Sequence, residues 1–354
     1  MTYIFELNHP KHYYQFKYIM QMLKEDGHKI HVLARDKDVL LNVLQEEGVP
    51  YEIFGVHAKT LWSKISATPR LVMNYLKIAK HVKPDVIVSK ASLYGVLAAR
   101  RIGAKSVIFP DSEVVKLTNH IVAPMCTCVV TPETFGLDFG KKHKRVKGFF
   151  ENCYLAPTVL QPSEEIVKQY GLKRPYALLR FVGWNANHDV QNSGFSLEQK
   201  RALVHMIAAH MQVYISSEKK LPEDMEPYRL PTPSAAIHHV LAYADLYIGD
   251  SQTMATEAAL LGTPAIRSNS FVGQNDMTNF IVLEKEYGLL RNIREYEGVV
   301  SEIQKMLRHS EEIRVKSEEL EMSGVKAEWV KKREAYFAKV GDTNREITEM
   351  LENI

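Results

Sequence analysis

The stretch of this chain with the densest chemistry is Tyr243 to Arg267: a short apolar run, a polar turn, a helical pattern, a glycine stop and a second apolar run. That order reads as a miniature strand–helix–strand unit. Gly249 and Asp250 occupy the turn. Ser251, Gln252 and Thr253 stand where the first helical N–H groups lack partners, so a diphosphate placed there gains those donors and the positive helix end. The hydroxyls of Ser251 and Thr253 add bonds of their own. Glu257 lies four residues beyond Thr253, on the same face one turn further in, and its two oxygens can accept from both hydroxyls of a ribose. A nucleoside diphosphate matches that spacing. A plain N-cap, worth about 1 kcal/mol, would account for Asp250 or Ser251 but not for Glu257, which lies too deep for a capping box.

These residues need elements to position them. Short β-branched or apolar runs at Tyr3–Leu7, Lys29–Ala34, Tyr51–Phe54, Val86–Ser89, Ser106–Phe109 and Cys128–Thr131 alternate with helical patterns at Tyr14–Lys24, Asp38–Gln45, Leu71–His81 and Leu93–Arg101. The alternation resumes with strands at Tyr176–Phe181, Gln212–Ser216, Leu246–Ile248 and Pro264–Arg267 and helices at Gln199–His210, Ala235–Ala242 and Thr253–Leu261. The pattern predicts two α/β domains with parallel, doubly wound sheets: 1–150, a connection over 151–175, and 176–325. Helices over 326–354 would be free to pack back on the first domain. The charged segments Glu297–Leu307, Ser310–Met322 and Val325–Lys339 read as a helical cover with most of its charges solvated.

With 45 basic against 42 acidic residues among 354, the formal charge of +3 implies no nucleic-acid field. Three cysteines in no ligand spacing point to buried thiols in a reducing compartment. No run approaches the roughly 18 apolar residues that span a bilayer, so a cytoplasmic protein is expected. The mixed basic and apolar stretch His57–Lys83 either packs one side on a sheet or rests on an anionic inner membrane face.

The chain resembles a family at this point. Gly249–Glu257 is similar to the phosphate-and-ribose helix of GT-B glycosyltransferases of the MurG type and of non-hydrolysing UDP-N-acetylglucosamine 2-epimerases. Asn8–His12, Ala34–Asp36, Arg180–Asp189, Gly249–Glu257 and Ile266–Gly273 together resemble an archaeal and bacterial family of unknown function described as predicted glycosyltransferases. That resemblance implies a GT-B fold, two Rossmann-like domains facing a central cleft, and a nucleotide-sugar ligand.

On that fold, loops at the carboxyl edges of the sheets carry the site. Asn8–His12 would face the sugar and acceptor, with His9 or His12 as general base; a helix-start histidine bonded to backbone is the structural alternative. Asp111 and Glu113 are the other candidate acid–base groups. A carboxylate there could act in glycosyl transfer or, in the epimerase alternative, remove the proton at the sugar's C2 after desolvation raises its pKa; the plain alternative is a cap for a helix starting near Val114. Arg180 and Arg267 would balance diphosphate charge, although Arg267 in a structural ion pair is equally compatible with the sequence. Asn187 and His188 would line the donor side. The resemblance places Phe271, Gln274 and Asn275 where MurG-type enzymes read donor-sugar hydroxyls. The 2-epimerases carry a His-Arg-rich motif that Arg180–Asp189 lacks. Asp36-Lys37-Asp38 has the spacing of a metal-binding Asp-x-Asp but opens a helix, so neither a metal nor another cofactor is expected. The expected activity is metal-independent transfer of a sugar from a UDP-sugar to a glycan or lipid-linked hydroxyl acceptor in surface-glycan or glycolipid synthesis. The alternatives are a nucleotide-sugar 2-epimerase and a non-catalytic nucleotide-sugar-binding protein.

Overall fold

The computed structural model describes residues 1–36, 40–56, 61–115, 118–181, 195–217, 220–273, 276–316 and 324–354, with side chains except at 56, 61–67, 119 and 309–316. The chain divides into two compact units, Met1–Tyr154 with Val340–Ile354, and Leu155–Lys339.

In the first unit the elements run β1 (Thr2–Leu7), α1 (Pro10–Glu25), β2 (Lys29–Asp36), α2 (Leu40–Glu46), β3 (Glu52–Val56), α3 (Leu61–Val82), β4 (Val86–Ser89), α4 (Leu93–Ile102), β5 (Lys105–Ile108), α5 (Ala123–Met125), β6 (Cys128–Pro132), β7 (His143–Val146) and α6 (Asn152–Leu155). The described strands form a parallel sheet in the order β3-β2-β1-β4-β5-β6-β7. Alternation along β1 sends Tyr3, Phe5 and Leu7 into one apolar layer, with Phe16 and Ile19 of α1. Ile4 enters the opposite layer, with Leu71, Tyr75 and Ala79 of α3. The strand order reverses between β1 and β4, and open α/β sheets bind ligands beyond the carboxyl ends of strands at such a point.

The second unit holds α7 (Glu164–Gln169), β8 (Tyr176–Arg180), α8 (Leu197–Ala208), β9 (Gln212–Ile215), α9 (Ile237–Tyr243), β10 (Leu246–Gly249), α10 (Gln252–Leu260), β11 (Ala265–Arg267), α11 (Thr278–Lys285), β12 (Arg291–Asn292), α12 (Tyr296–Lys316) and most of α13 (Gly324–Val340). Its parallel sheet runs β12-β11-β10-β8-β9, so the reversal falls between β8 and β10. A last helix, α14 (Thr343–Glu352), belongs to the first unit, where Ile347 and Leu351 join the layer beside α1.

Some of the C-terminal charges are buried. Lys326 on α13 is buried and donates to the carbonyls of Ala242 and Ala244 and to Thr263 Oγ1, while Trp329 Nε1–H donates to the Leu289 carbonyl. A buried ammonium persists only where its donors are taken up, and three oxygens take them here. Of the stretch 57–83, the described side chains Leu71, Tyr75 and Ala79 pack inward on the sheet and Met73 is exposed. Among the described residues no helix is long and apolar enough to cross a membrane. The three cysteines are buried and free.

Candidate functional site

In the second unit the turn after β10 is built by close approach. A Cβ on Gly249 would lie 2.4 Å from the Arg180 carbonyl oxygen and 2.5 Å from Tyr247 Oη, so only glycine fits between β8 and the chain above it. The φ of Gly249 is not positive, so close approach rather than backbone freedom calls for glycine here. The Asp250 N–H donates to the Arg180 carbonyl at 3.1 Å, which ties the turn to the end of β8. Ser251 caps α10, its Oγ accepting from the Met254 N–H at 3.4 Å. Ser251, Gln252 and Thr253 are half-buried at the amino end of the helix, beside the reversal of strand order. Beyond them α10 is closed in: Ala255, Ala258, Ala259 and Leu260 are buried. Glu257 is the acid within that alanine-rich stretch, its side chain 10% exposed and its Oε1 3.4 Å from His238 Nε2 on α9.

The two arginines expected to serve the diphosphate separate. Arg180 and Arg267 are both in register with Gly249, on the strands either side of it. Arg180 is half-buried at the open edge and reaches Ser216 Oγ at 3.5 Å. Arg267 is wholly buried. Its guanidinium donates to both Asp276 oxygens at 2.8 Å and to Asn292 Oδ1 at 2.6 Å, and it lies 3.6 Å from the Phe280 ring centre. Both terminal nitrogens are engaged inside the fold, while the buried Nε has no hydrogen-bond partner, so the expected diphosphate contact for Arg267 is corrected to a structural ion pair. Phe271 is 59% exposed, its N–H bonded to Asn269 Oδ1. Asn187, His188, Gln274 and Asn275 lie outside the described residues, as do Lys37 and Asp38.

In the first unit the loop after β1 and the end of β4 meet at the reversal. His9 caps α1, Nδ1 accepting from the Lys11 N–H at 3.1 Å, and Pro10 occupies the first helical position, where its missing N–H costs nothing. His12 Nδ1 accepts from the Asn8 N–H at 3.2 Å. Desolvation, reinforced by the Lys90 charge, pushes the His12 ring well below its ordinary pKa. A neutral ring with Nδ1 occupied carries its proton on Nε2, so His12 is placed as a donor rather than as the expected base.

Lys90, at the end of β4, has a buried side chain. It donates to Gln15 Oε1 at 2.9 Å, pairs with Asp111 Oδ2 at 3.2 Å, and sits 4.4 Å from the Phe150 ring centre. Burial pushes its ammonium down, and Asp111 opposes that. The next residue, Ala91, has φ 74°, a left-handed conformation costly for any side chain but glycine. Asp111, with its side chain 45% exposed, also departs from expectation. Desolvation pushes its carboxyl up, but the ammonium groups of Lys90 and Lys11 outweigh it and hold the carboxyl well below the usual range. The chain makes a turn at Val114, and the described helical segment begins later, at Thr118–Val122. Glu113 is directed to the connection between β6 and β7, Oε1 accepting from the Gly136 N–H at 3.2 Å.

The sequence reading missed Lys90, Gln15 and Glu6. Glu6 lies in β1, wholly buried, accepting from Asn8 Nδ2 at 2.8 Å. Burial pushes its carboxyl up. Gly95 on α4 makes room for it, since a Cβ there would be 2.9 Å from Glu6 Oε2. A carboxylate inside an otherwise apolar strand was the signal available for it. Among the described residues no group of three His, Cys, Asp or Glu side chains could share a metal ion.

Two parallel sheets, each with its strand order reversing beside the loop just described, give this chain a GT-B type fold of two Rossmann-like domains. Residues 2–286 match the family described as "Protein of unknown function (DUF354)", and the chain belongs to that family. No curated protein matches the sequence significantly. Among solved structures, the UDP-GlcNAc 2-epimerase of Neisseria meningitidis bound to UDP-GlcNAc is similar, with TM-score 0.67, 9% identity, and all of both chains covered. MurG of Acinetobacter baumannii gives 0.60 at 14% identity, covering 100% of this chain and 99% of the other. The UDP-GlcNAc 2-epimerase of Methanocaldococcus jannaschii gives 0.63 at 13%, covering 87% and 93%.

Proposed function

We propose that this protein binds a UDP-sugar and transfers the sugar to a hydroxyl group of a glycan or lipid-linked acceptor, without a metal ion, in surface-glycan or glycolipid synthesis. The observation that carries the reading is the amino end of α10 at the strand-order reversal, followed one turn inside the helix by the buried Glu257. Ser251 to Thr253 take the diphosphate, Glu257 the ribose hydroxyls, and Gln274 and Asn275 the donor sugar. As the acceptor oxygen attacks the anomeric carbon, the bond to the diphosphate breaks and negative charge grows on the leaving group. Helix N–H groups and Arg180 stabilise that charge in place of a metal. The acceptor's proton goes to Asp111, ionised and exposed, while His12 Nε2–H donates a hydrogen bond.

Likeness to UDP-GlcNAc 2-epimerases supports a second reading, epimerisation at the sugar's C2. The His-Arg-rich motif of the 2-epimerases is absent from Arg180–Asp189, which favours transfer over that reading. Deuterium uptake at C2 of UDP-GlcNAc in D₂O would decide for the epimerase.

The primary test is thermal and chemical stability with a panel of nucleoside diphosphates in EDTA. UDP at a hundred times its Kd stabilises the fold by about 2.7 kcal/mol. Glu257→Gln is expected to lose most of that gain and keep the unliganded midpoint. A panel that shifts nothing, or a UDP shift indifferent to Glu257, would defeat the proposal.

A further inference from the structure

We infer that His238 is a positioning residue that orients the Glu257 carboxylate for a ribose and so sets a preference for ribose over 2′-deoxyribose diphosphates. The inference rests on the nucleotide reading above. An acid is rarely buried unless it is paired or used, and α10 encloses Glu257 among alanines and leucines. The partner comes from the neighbouring helix: His238 Nε2 lies 3.4 Å from Oε1, with side chains 14% and 10% exposed.

The placement of His238 is itself fixed. The next residue, His239, accepts the Ser163 N–H at 3.0 Å, and Tyr243 Oη donates to the Pro162 carbonyl at 3.4 Å, so α9 is held at both ends against the segment before α7. Val240 and Leu241 are buried beneath it. His238 therefore presents its ring from a rigid support.

A carboxylate offers about four lone-pair positions. A bond from Nε2–H uses one on Oε1 and leaves positions on both oxygens, enough for the two hydroxyls of a ribose. The last torsion of a glutamate is soft and roughly two-fold, so a fixed donor on one oxygen sets the plane in which both hydroxyls must meet it. A 2′-deoxyribose has one hydroxyl there and gains little from that alignment. The consequence of His238 is thus selectivity, more than affinity for the nucleotide as a whole.

The test measures the Kd of UDP and of 2′-deoxy-UDP by calorimetry for the wild type, His238→Ala and His238→Gln, with the thermal midpoint of each. One hydrogen bond to a charged group is worth about tenfold or more, so the wild type should prefer UDP by at least that factor. His238→Ala should lose most of the preference while 2′-deoxy-UDP affinity changes less than about twofold. His238→Gln, which keeps an N–H donor at similar reach, should restore it. Equal weakening of both nucleotides, or a preference unchanged in His238→Ala, would overturn the role of His238 and leave the nucleotide site standing. A wild type that binds neither nucleotide, or binds UDP without regard to Glu257→Gln, would overturn both.

Discussion

Replacing Arg267 by alanine separates a structural arginine from a ligand-binding one. The guanidinium is wholly buried, and Asp276, which it grips through both oxygens, has a side chain only 3% exposed. Once Arg267 is gone, the Met277 N–H, donating at 2.8 Å to Asp276 Oδ1, remains as a donor to that carboxylate. Asn292 Oδ1 loses its 2.6 Å partner, and the Phe280 ring loses the cation stacked on it. Removing one member of a buried pair costs about 3–5 kcal/mol, because the survivor is left charged and poorly solvated. Against a domain stability of roughly 5–15 kcal/mol, that is a large share. Urea unfolding followed by fluorescence of Trp329, buried in the same unit, measures it.

The same measurement contains its own control. Arg267→Met combined with Asp276→Asn removes both charges and keeps most of the volume, so the double variant should regain more than half of the stability lost by Arg267→Ala. Arg180→Ala should leave the midpoint within about 1 kcal/mol, because this arginine is half-buried at the open edge, and should weaken UDP. If Arg267→Ala unfolds at the wild-type urea concentration and instead loses UDP affinity, the assignment of the two arginines is reversed and the reasoning fails.

Two further outcomes follow from ionisation. Burial pushes the Lys326 ammonium down to about 7, while the unfolded chain keeps that proton to about pH 10.4. Between those values the unfolded state binds more protons, so this group's contribution makes stability rise with pH. The difference in unfolding free energy between wild type and Lys326→Met should move in favour of wild type from pH 6.5 to 9.5, and a flat difference would contradict the assignment. His12 should remain neutral through pH 6, its Nδ1 unprotonated and Nε2 protonated in nitrogen-resolved NMR of the ring; a protonated Nδ1 would return it to the role of base.

Much of the scaffold was legible because a parallel sheet buried on both faces writes itself as apolar runs between amphipathic helices. The predicted strands lie within a residue or two of β1–β6 and β8–β11. The two missed are edges. His143–Val146 reads as a basic loop, since only Val146 is buried, and β12 is two residues long. Helix α14 was expected only as part of helices over 326–354, without bounds, because Thr343–Glu352 is mostly polar; its helical stability comes from Ile347 and Leu351 packed beside α1. In the candidate site, residues that follow strands in sequence could be placed at a sheet edge. Lys90 could not be joined to Asn8 and His12 without knowing that β4 lies beside β1, nor His238 to Glu257 without knowing that α9 lies against α10.

Arg180 and Arg267 show where such reading stops. Each is the last residue of an apolar strand, each lies in register with Gly249, and nothing local distinguishes them. The difference is made by Asp276, nine residues after Arg267, and by Asn292, twenty-five after it on an edge strand too short to predict. β12 pairs with β11 and brings Asn292 level with Arg267, which closes the cage around the guanidinium. On the β8 side of Gly249 the neighbour is β9, after which Ser216 Oγ lies 3.5 Å from the Arg180 guanidinium. The two-residue strand therefore decides which arginine is structural.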